Sequence, residues 1–400
     1  MKNNALEVAS LAGHIMLENG AEIARVEEVM QRIARNFGAD SSNFFVLSNG
    51  IFTTGRGYAN VEHIPFHGAQ LNKVVEVNQL SRDVEQGKCS LDEARRRLLQ
   101  IRNLAPHPRW EQIIGSSLGS AGFCAIFGGS LTDCLISLFI GFVLWLFVIY
   151  CCRYLSKVTA NIAGGALVSA LCIIFYHLGI CHLGNIIIGA IIPLIPGVSF
   201  TNGIRDLADE DYIAGATRLM DALMIFLCIA LGVSVSFLID RRIEGQIIQL
   251  EGMLVDPTTA QWFFQLPAAF IGTAAFAVLF GVPRRHYIDC GLCGTIGWIV
   301  YLALVRLAEA SPAEATLFAT MTVVWTSYRL AICRSCPVIV FLICGIFPLV
   351  PGAGVFWTSY YVVSDQLSAA LASGFLAVKL TFAIVFGIII FTEARRRLHR

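Results

Sequence analysis

The sequence predicts an α-helical polytopic membrane protein, with about ten transmembrane helices arranged as two inverted five-helix repeats and preceded by a small α+β cytoplasmic domain. Three observations predict it. Of the 400 residues, 56% are hydrophobic and only 14% charged, whereas a soluble domain has roughly 25% charged residues. Charge is also spread unevenly: up to about residue 110 the chain reads as soluble protein, and beyond that apolar runs dominate. Finally, IIPLIPGVSF (191–200) returns as IFPLVPGAGV (346–355).

The N-terminal domain is expected over residues 1–110. Leu6, Val8, Leu11, Ile15 and Met16 recur at helical spacing until Asn19-Gly20 breaks the run. A second helix fits Ala21 to Phe37, with Gly38 as its C-cap. NFFVLSNGIFTTG then supplies two β-prone runs around Asn49-Gly50, a dipeptide suited to a tight turn whose central residues both take positive φ. A third strand is expected within 61–66, then helices over 69–86 and 90–103, the latter patterned by Leu91, Ala94, Leu98 and Ile101. The opening residues are amphipathic and lack the apolar core of a secretory leader.

Ten segments approach the roughly 20 apolar residues a bilayer requires. They lie near 112–129, 131–150, 158–178, 183–199 and 216–239, then 261–281, 287–306, 313–331, 336–352 and 368–391. This divides the membrane part into a first repeat over 111–240, an external linker over 241–260 and a second repeat over 261–400. With both termini cytoplasmic, the inner loops hold Arg153, Lys157, Arg205, Arg284, Arg285, Arg329, Arg334 and Arg395–Arg397. The outer loops hold Arg241, Arg242 and Arg306, so the bias follows the positive-inside rule, with the Arg241-Arg242 pair as an exception.

The repeat carries the functional argument. Pro193, Pro196 and Gly197 align with Pro348, Pro351 and Gly352 at an offset of 155, and AGFCAIFGG (121–129) aligns with AAFAVLFGV (274–282) at 153. Five spans per copy is odd, so the second copy enters from the opposite face, a recurrent transporter design. Proline and glycine inside a span free backbone groups, which lipid does not satisfy; such breaks persist where protein or a wet cavity covers them. These six residues are therefore candidates for lining or gating a substrate path. Thr201, Asn202, Arg205 and Asp206 follow the first break, and the Arg–Asp pair suits the carboxylate and ammonium of a zwitterion, or else belongs to a solvated loop. The second copy offers Trp357, Thr358, Ser359 and Tyr360 instead. Among intramembrane charges, Asp221 and Lys379 occupy equivalent segments and are expected to meet near the pseudo-twofold axis, as a static ion pair or a proton-coupling pair. Arg218 and Asp221 can also pair locally at i, i+3.

A net charge of +1 excludes a nucleic-acid partner. The 13 cysteines have no disulfide-framework spacing and read as small packing residues; Cys290 with Cys293 and Cys333 with Cys336 each make a CxxC, for which metal or redox chemistry is the lesser alternative. No metal or cofactor is expected. In the N-terminal domain Glu22, Arg25, Glu27, Glu28, Asn49 and Thr53 form a candidate polar site, but no nucleophile–base set or phosphate loop accompanies them, so no enzyme is expected.

At this point the residues match a known pattern. GAEIARVEEVMQRIARNFG, FFVLSNGIFTT and PGVSFTNGIRDLADEDYIAGATRLMDAL resemble the first module of the bacterial threonine/serine exporter family, and FPLVPGAGVFWTSYYV resembles its second. The resemblance spans nearly the whole chain, with both membrane modules fused in order. It implies a secondary active exporter of threonine and serine in the inner membrane, coupled to an ion gradient, usually of protons. Split relatives are associated with succinate export, which leaves a dicarboxylate as the alternative cargo; a passive channel, a membrane-bound enzyme and a sensor are the competing classes. The implied partners are a small polar metabolite, a proton and the lipid bilayer, with homo-oligomerisation left open.

Overall fold

A computed structural model describes residues 2–39, 43–55, 57–66, 68–246, 248, 250 and 259–398. The N-terminal part contains α1 (Lys2–Glu18), α2 (Ile23–Asn36), strands β1 (Asn43–Leu47), β2 (Gly50–Gly55) and β3 (Tyr58–His63), then α3 (Leu71–Glu85) and α4 (Leu91–Arg102). Helix α1 is its core: Ala5, Val8, Ala9, Ala12, Ile15 and Met16 are buried against α2, α3, α4 and β2. Helix α2 shows why it folds onto α1, since Ile23, Val26, Val29, Met30 and Ile33 share its inner face.

The strands form an antiparallel sheet in the order β1-β2-β3. Its first turn differs from the sequence reading. Leu47 pairs with Gly50, so the two loop residues are Ser48 and Asn49, and none of Ser48, Asn49 and Gly50 has positive φ. Gly50 serves close approach instead: a Cβ there would lie 3.0 Å from the Glu62 carbonyl oxygen of β3. The third strand also begins earlier than expected, and pairing stops before Pro65, which has no amide to donate.

The rest of the chain is helical. The first half holds α5 (Arg109–Ile126), α6 (Leu131–Tyr150), α7 (Lys157–His177), α8 (Leu183–Ile191), α9 (Gly197–Ala208) and α10 (Tyr212–Glu244). The second holds α11 (Thr259–Leu279), α12 (Tyr287–Leu307), α13 (Pro312–Arg334), α14 (Val338–Ile346), α15 (Gly352–Val363) and α16 (Leu367–Leu398). In each half a nine-residue helix, a 3-10 turn and a twelve-residue helix precede the longest helix, of 33 or 32 residues.

Among the described residues, six helical stretches are long and apolar enough to cross a membrane, and α8 with α9, bent by 66°, makes a seventh. The chain is thus a polytopic membrane protein. Helices α5, α11 and α13 fall outside that test: α5 carries Glu111 and several glycines and serines, α13 carries Glu314, Arg329 and Arg334, and the apolar part of α11 is short. Leu223, Leu227 and Leu231 of α10 and Phe375, Phe382 and Phe386 of α16 are exposed, as lipid contact requires. The α14–α15 stretch is almost wholly buried at the centre.

Small residues let these helices touch. A Cβ on Gly165 of α7 would lie 2.7 Å from the Ile229 carbonyl oxygen of α10, and one on Gly232 would collide with the Ile162 carbonyl. Gly232→Ala is therefore expected to cost about 1–3 kcal/mol, read as a lower thermal midpoint in detergent. Gly374→Ala, whose Cβ meets Thr358 at an ordinary 3.5 Å, is the neutral control. Across the two halves the contacts are reciprocal. Gly119 of α5 lies under Phe276 of α11 (2.7 Å to a built Cβ), and Gly272 of α11 lies under Phe123 of α5 (3.3 Å). The two glycines, and the two rings, are separated by the same offset of 153.

Candidate functional site

The first break builds a cavity. Ile192-Pro193-Leu194 tightens into a 3-10 turn, Ile195 is extended, and Pro196 precedes the first turn of α9, which has no side-chain cap. That turn gives the Gly197 amide to the Ile195 carbonyl at 2.8 Å and borders a cavity of about 580 Å³ walled by Leu194–Ser199, Asn202, Lys157, Arg218 and Asp221. The N-terminal part supplies the opposite wall through Leu17, Gly20, Ser48, Asn49, Phe66 and Ala69. The volume is that of a small-molecule site.

Both signs of charge lie on the wall. Lys157, the first residue of α7, pairs with Asp221 of α10, and Ser199 donates to the second Asp221 oxygen at 3.4 Å. Asn202 is 1% exposed. Its Nδ2 donates to the Gly20 carbonyl at 2.8 Å, while its Oδ1 has no hydrogen-bond partner among the described residues. An unanswered buried acceptor beside a cavity suits a donor on a bound molecule.

The polar residues after the break do something other than form one Arg–Asp pair. Arg205 pairs through Nε with Glu22 at 2.8 Å. Asp206, 1% exposed, receives Arg218 Nη1 at 2.7 Å on one oxygen and the Ile23 amide at 3.1 Å on the other. Arg218 also donates to the Ala21 carbonyl at 3.0 Å. Pro196, Gly197 and Asn202 therefore line the cavity, whereas Pro193, Thr201, Arg205 and Asp206 lie off it.

Two expected pairings are corrected. Asp221 meets Lys157, not Lys379. Lys379 points outward on α16, its ammonium 4.9 Å from the centre of the Phe375 ring, because Ala370, Ile384 and Ile388 are among the residues of α16 that pack inward. Arg218 bonds Asp206 rather than Asp221, since α9 packs beside α10 and offers a deeper carboxylate.

The second break is packed solid. A Cβ on Gly352 would lie 2.6 Å from Ile195 Cδ1, and one on Gly197 would collide with the Phe347 ring, so the two breaks rest on each other. Phe347 meets Phe276 at a tilt (4.3 Å) and Phe280 (5.3 Å) and Phe123 (5.8 Å) edge to face. Pro348, Pro351 and Gly352 thus lie in a packed core. Thr358 and Ser359 return their hydroxyls to carbonyls one turn back, Trp357 stacks on Tyr361 at 5.5 Å, and Tyr360 donates to the Ile248 carbonyl at 2.8 Å.

Of the six N-terminal polar residues, Arg25 joins Glu22 at 3.5 Å and Glu28, while the other three do not share a site with them. Thr53 bonds Ser10 at 2.8 Å inside the core, and Arg25 pairs with Glu28 at 2.6 Å. Glu27 accepts the Val46 amide at 3.1 Å, and burial pushes its carboxyl above the ordinary range. Glu22 faces Arg205, and Asn49 reaches the cavity. The thiols of Cys290 and Cys293 point at the Val340 and Val323 carbonyls, 3.7 and 3.8 Å away. Sequence reasoning missed Lys157, Ser199 and the Phe347 cluster. Lys157 was legible only as a loop cation, although a lone lysine opening an apolar helix has its charge at the membrane edge.

A family model described as "Putative threonine/serine exporter" matches residues 7–239, and one described as "Threonine/Serine exporter, ThrE" matches 265–393. The chain is 20% identical to the "Probable threonine/serine exporter" of Mycobacterium tuberculosis over 96% of its own length and 75% of that protein's. It is 21% identical to the "Threonine/serine exporter" of Corynebacterium glutamicum over 99% of its length and 83% of that protein's. The "Probable succinate transporter subunit YjjP" of Klebsiella aerogenes is 28% identical over 31% of this chain and 49% of its own length. No solved structure matches.

Proposed function

This chain belongs to the threonine/serine exporter family, and we propose that it is a secondary active exporter of threonine and serine whose cargo occupies the cavity at the first helix break. One observation carries the reading: the cavity holds Lys157, Arg218 and Asp221 beside the uncapped first turn of α9. A zwitterion needs that set. Its carboxylate is held by helix amides and a cation, its ammonium by Asp221 and the free Asn202 Oδ1. A dicarboxylate brings a second negative charge to a wall that already holds Asp221, which disfavours succinate.

Ten spans follow when α5, α11 and α13 are counted with the broken helices. The reciprocal Gly119–Phe276 and Gly272–Phe123 contacts support two inverted repeats, as does the mutual packing of Gly197 and Gly352; a residue pair that exchanges roles is the mark of a twofold axis. The N-terminal domain and both termini are assigned to the cytoplasm, where Arg284, Arg285 and Arg334 lie. The cavity then faces inward and the Phe347 cluster closes the path beyond it. Cargo leaves against its gradient in exchange for protons.

The test is efflux from cells preloaded with a threonine dipeptide, run beside succinate, with and without an uncoupler. Deleting the gene is expected to abolish threonine release, and the uncoupler to slow it in the parent. Succinate release lost alone would overturn the amino-acid reading. Flux that ignores the uncoupler and shows no counterflow would make the protein a channel.

A further inference from the structure

The N-terminal domain is docked on both membrane halves, by two kinds of contact. On the first half, the turn between α1 and α2 reaches into the broken helix. The Gly20 carbonyl takes Asn202, the Ala21 carbonyl takes Arg218, Glu22 pairs with Arg205, and the Ile23 amide meets Asp206. Glycine is required at the apex, since Gly20 has φ +91° and a Cβ would sit 3.2 Å from Val198. On the second half, the first turn of α3 abuts the end of α11. Leu71 and Asn72 donate their amides to the Phe280 and Gly281 carbonyls at 3.1 and 2.7 Å. These are orphan donors of one helix answering orphan acceptors of another. Arg82 adds a 3.4 Å bond to the Ser335 carbonyl.

The first anchor is different in kind. Asn202 and Arg218 hold the turn and also line the cavity. A cargo carboxylate drawn to Arg218 competes with the Ala21 carbonyl for that guanidinium, and a cargo ammonium bound at Asn202 Oδ1 pulls on the side chain that holds Gly20. The second anchor uses backbone groups alone at Leu71 and Asn72 and has no such competitor.

We propose that the N-terminal domain is the inner gate of the transport path: cargo frees the Gly20–Ile23 turn from α9 and α10, while the Leu71–Asn72 end stays docked on α11. This rests on the exporter reading and gives the soluble domain a working part in it. If the two halves rock against each other, a domain tied to both must release one, and the cargo-contacting anchor is the one released.

The experiment is amide hydrogen exchange on the full chain in lipid nanodiscs, comparing a peptide containing Ile23 with one containing Leu71 and Asn72. Saturating threonine, and separately Glu22→Gln without threonine, are each expected to speed exchange at Ile23 at least about tenfold, leaving the second peptide unchanged. Glu22 and Arg205 lie off the cavity wall, and Glu22 also faces Arg25 at 3.5 Å, so the conservative Glu22→Asp, which keeps the charge between both guanidinium groups, is expected to retain protection at Ile23. That outcome also separates a gate from a misfolded variant. Unchanged protection at Ile23 in both arms, or equal loosening of both anchors, overturns the gate. Threonine efflux by the parent is measured alongside. If it is absent while Glu22→Gln still loosens Ile23, the exporter reading fails instead, and with it the gate's cargo.

Discussion

Asp206→Ala is expected to abolish threonine export and to lower the stability of the whole chain. The carboxylate is 1% exposed and serves two partners, the Arg218 guanidinium and the Ile23 amide. Removing it takes the directly bonded counter-charge from a guanidinium that is only 11% exposed, a change that costs about 3–5 kcal/mol. The freed Ile23 amide adds a buried donor to the deficit. Asp206→Asn keeps an acceptor and the side-chain volume, so it should fall between parent and alanine variant. The measurements are the thermal midpoint in detergent and dipeptide-loaded efflux. Parent-like values for Asp206→Ala in both would show that α9, α10 and the α1–α2 turn are not held together in this way.

Gly197→Ala is the second large effect expected. The added methyl would collide with the Phe347 ring and approach Phe280 at 3.4 Å, so the first break can no longer rest on the second. Overpacking of a filled site costs about 1–3 kcal/mol. Here the strain also falls on the proposed closure between cavity and outer face, and efflux is expected to drop more than stability does. A double-mutant cycle separates contact from general damage. Phe347→Ala alone empties part of the aromatic cluster and costs about 3–5 kcal/mol. Combined with Gly197→Ala it should cost clearly less than the two added together, because the methyl then has space. Strict additivity would mean that Gly197 and Phe347 are not in contact.

The order of elements was largely legible from residues because it depends on local chemistry. Asn19-Gly20 and Gly38 end helices because their backbone must turn there, and Gly20 and Gly38 indeed take φ of +91° and +80°. PLIPGV and PLVPGA break helices because proline gives up an amide. The hairpin was legible but its register was not: Asn49-Gly50 suits a turn on propensity alone, and the need for Gly50 against Glu62 comes from a third strand that a two-residue motif cannot see.

Partners of charges were where residue-level reasoning stopped. Asp221 and Lys379 were paired because each is a costly charge at a matching position, which is an argument about energy with no geometry in it. Helix rotation decides such matters, and that of α16 puts Lys379 on its outer face. Likewise Arg205 and Asp206 are neighbours in the chain, yet successive residues on a helix diverge by about 100°, so each found its own partner from another element.

Composition, hydropathy and the doubled proline–glycine signal were enough to establish a membrane chain of helices with two breaks, because desolvation and backbone satisfaction act on each segment separately. Which break opens onto a cavity, and which side chains face it, came from contacts between segments far apart in the chain. Glu22 meets Arg205, Gly197 meets Phe347 and Lys157 meets Asp221 because packing selects one set of neighbours from many that polarity alone would allow.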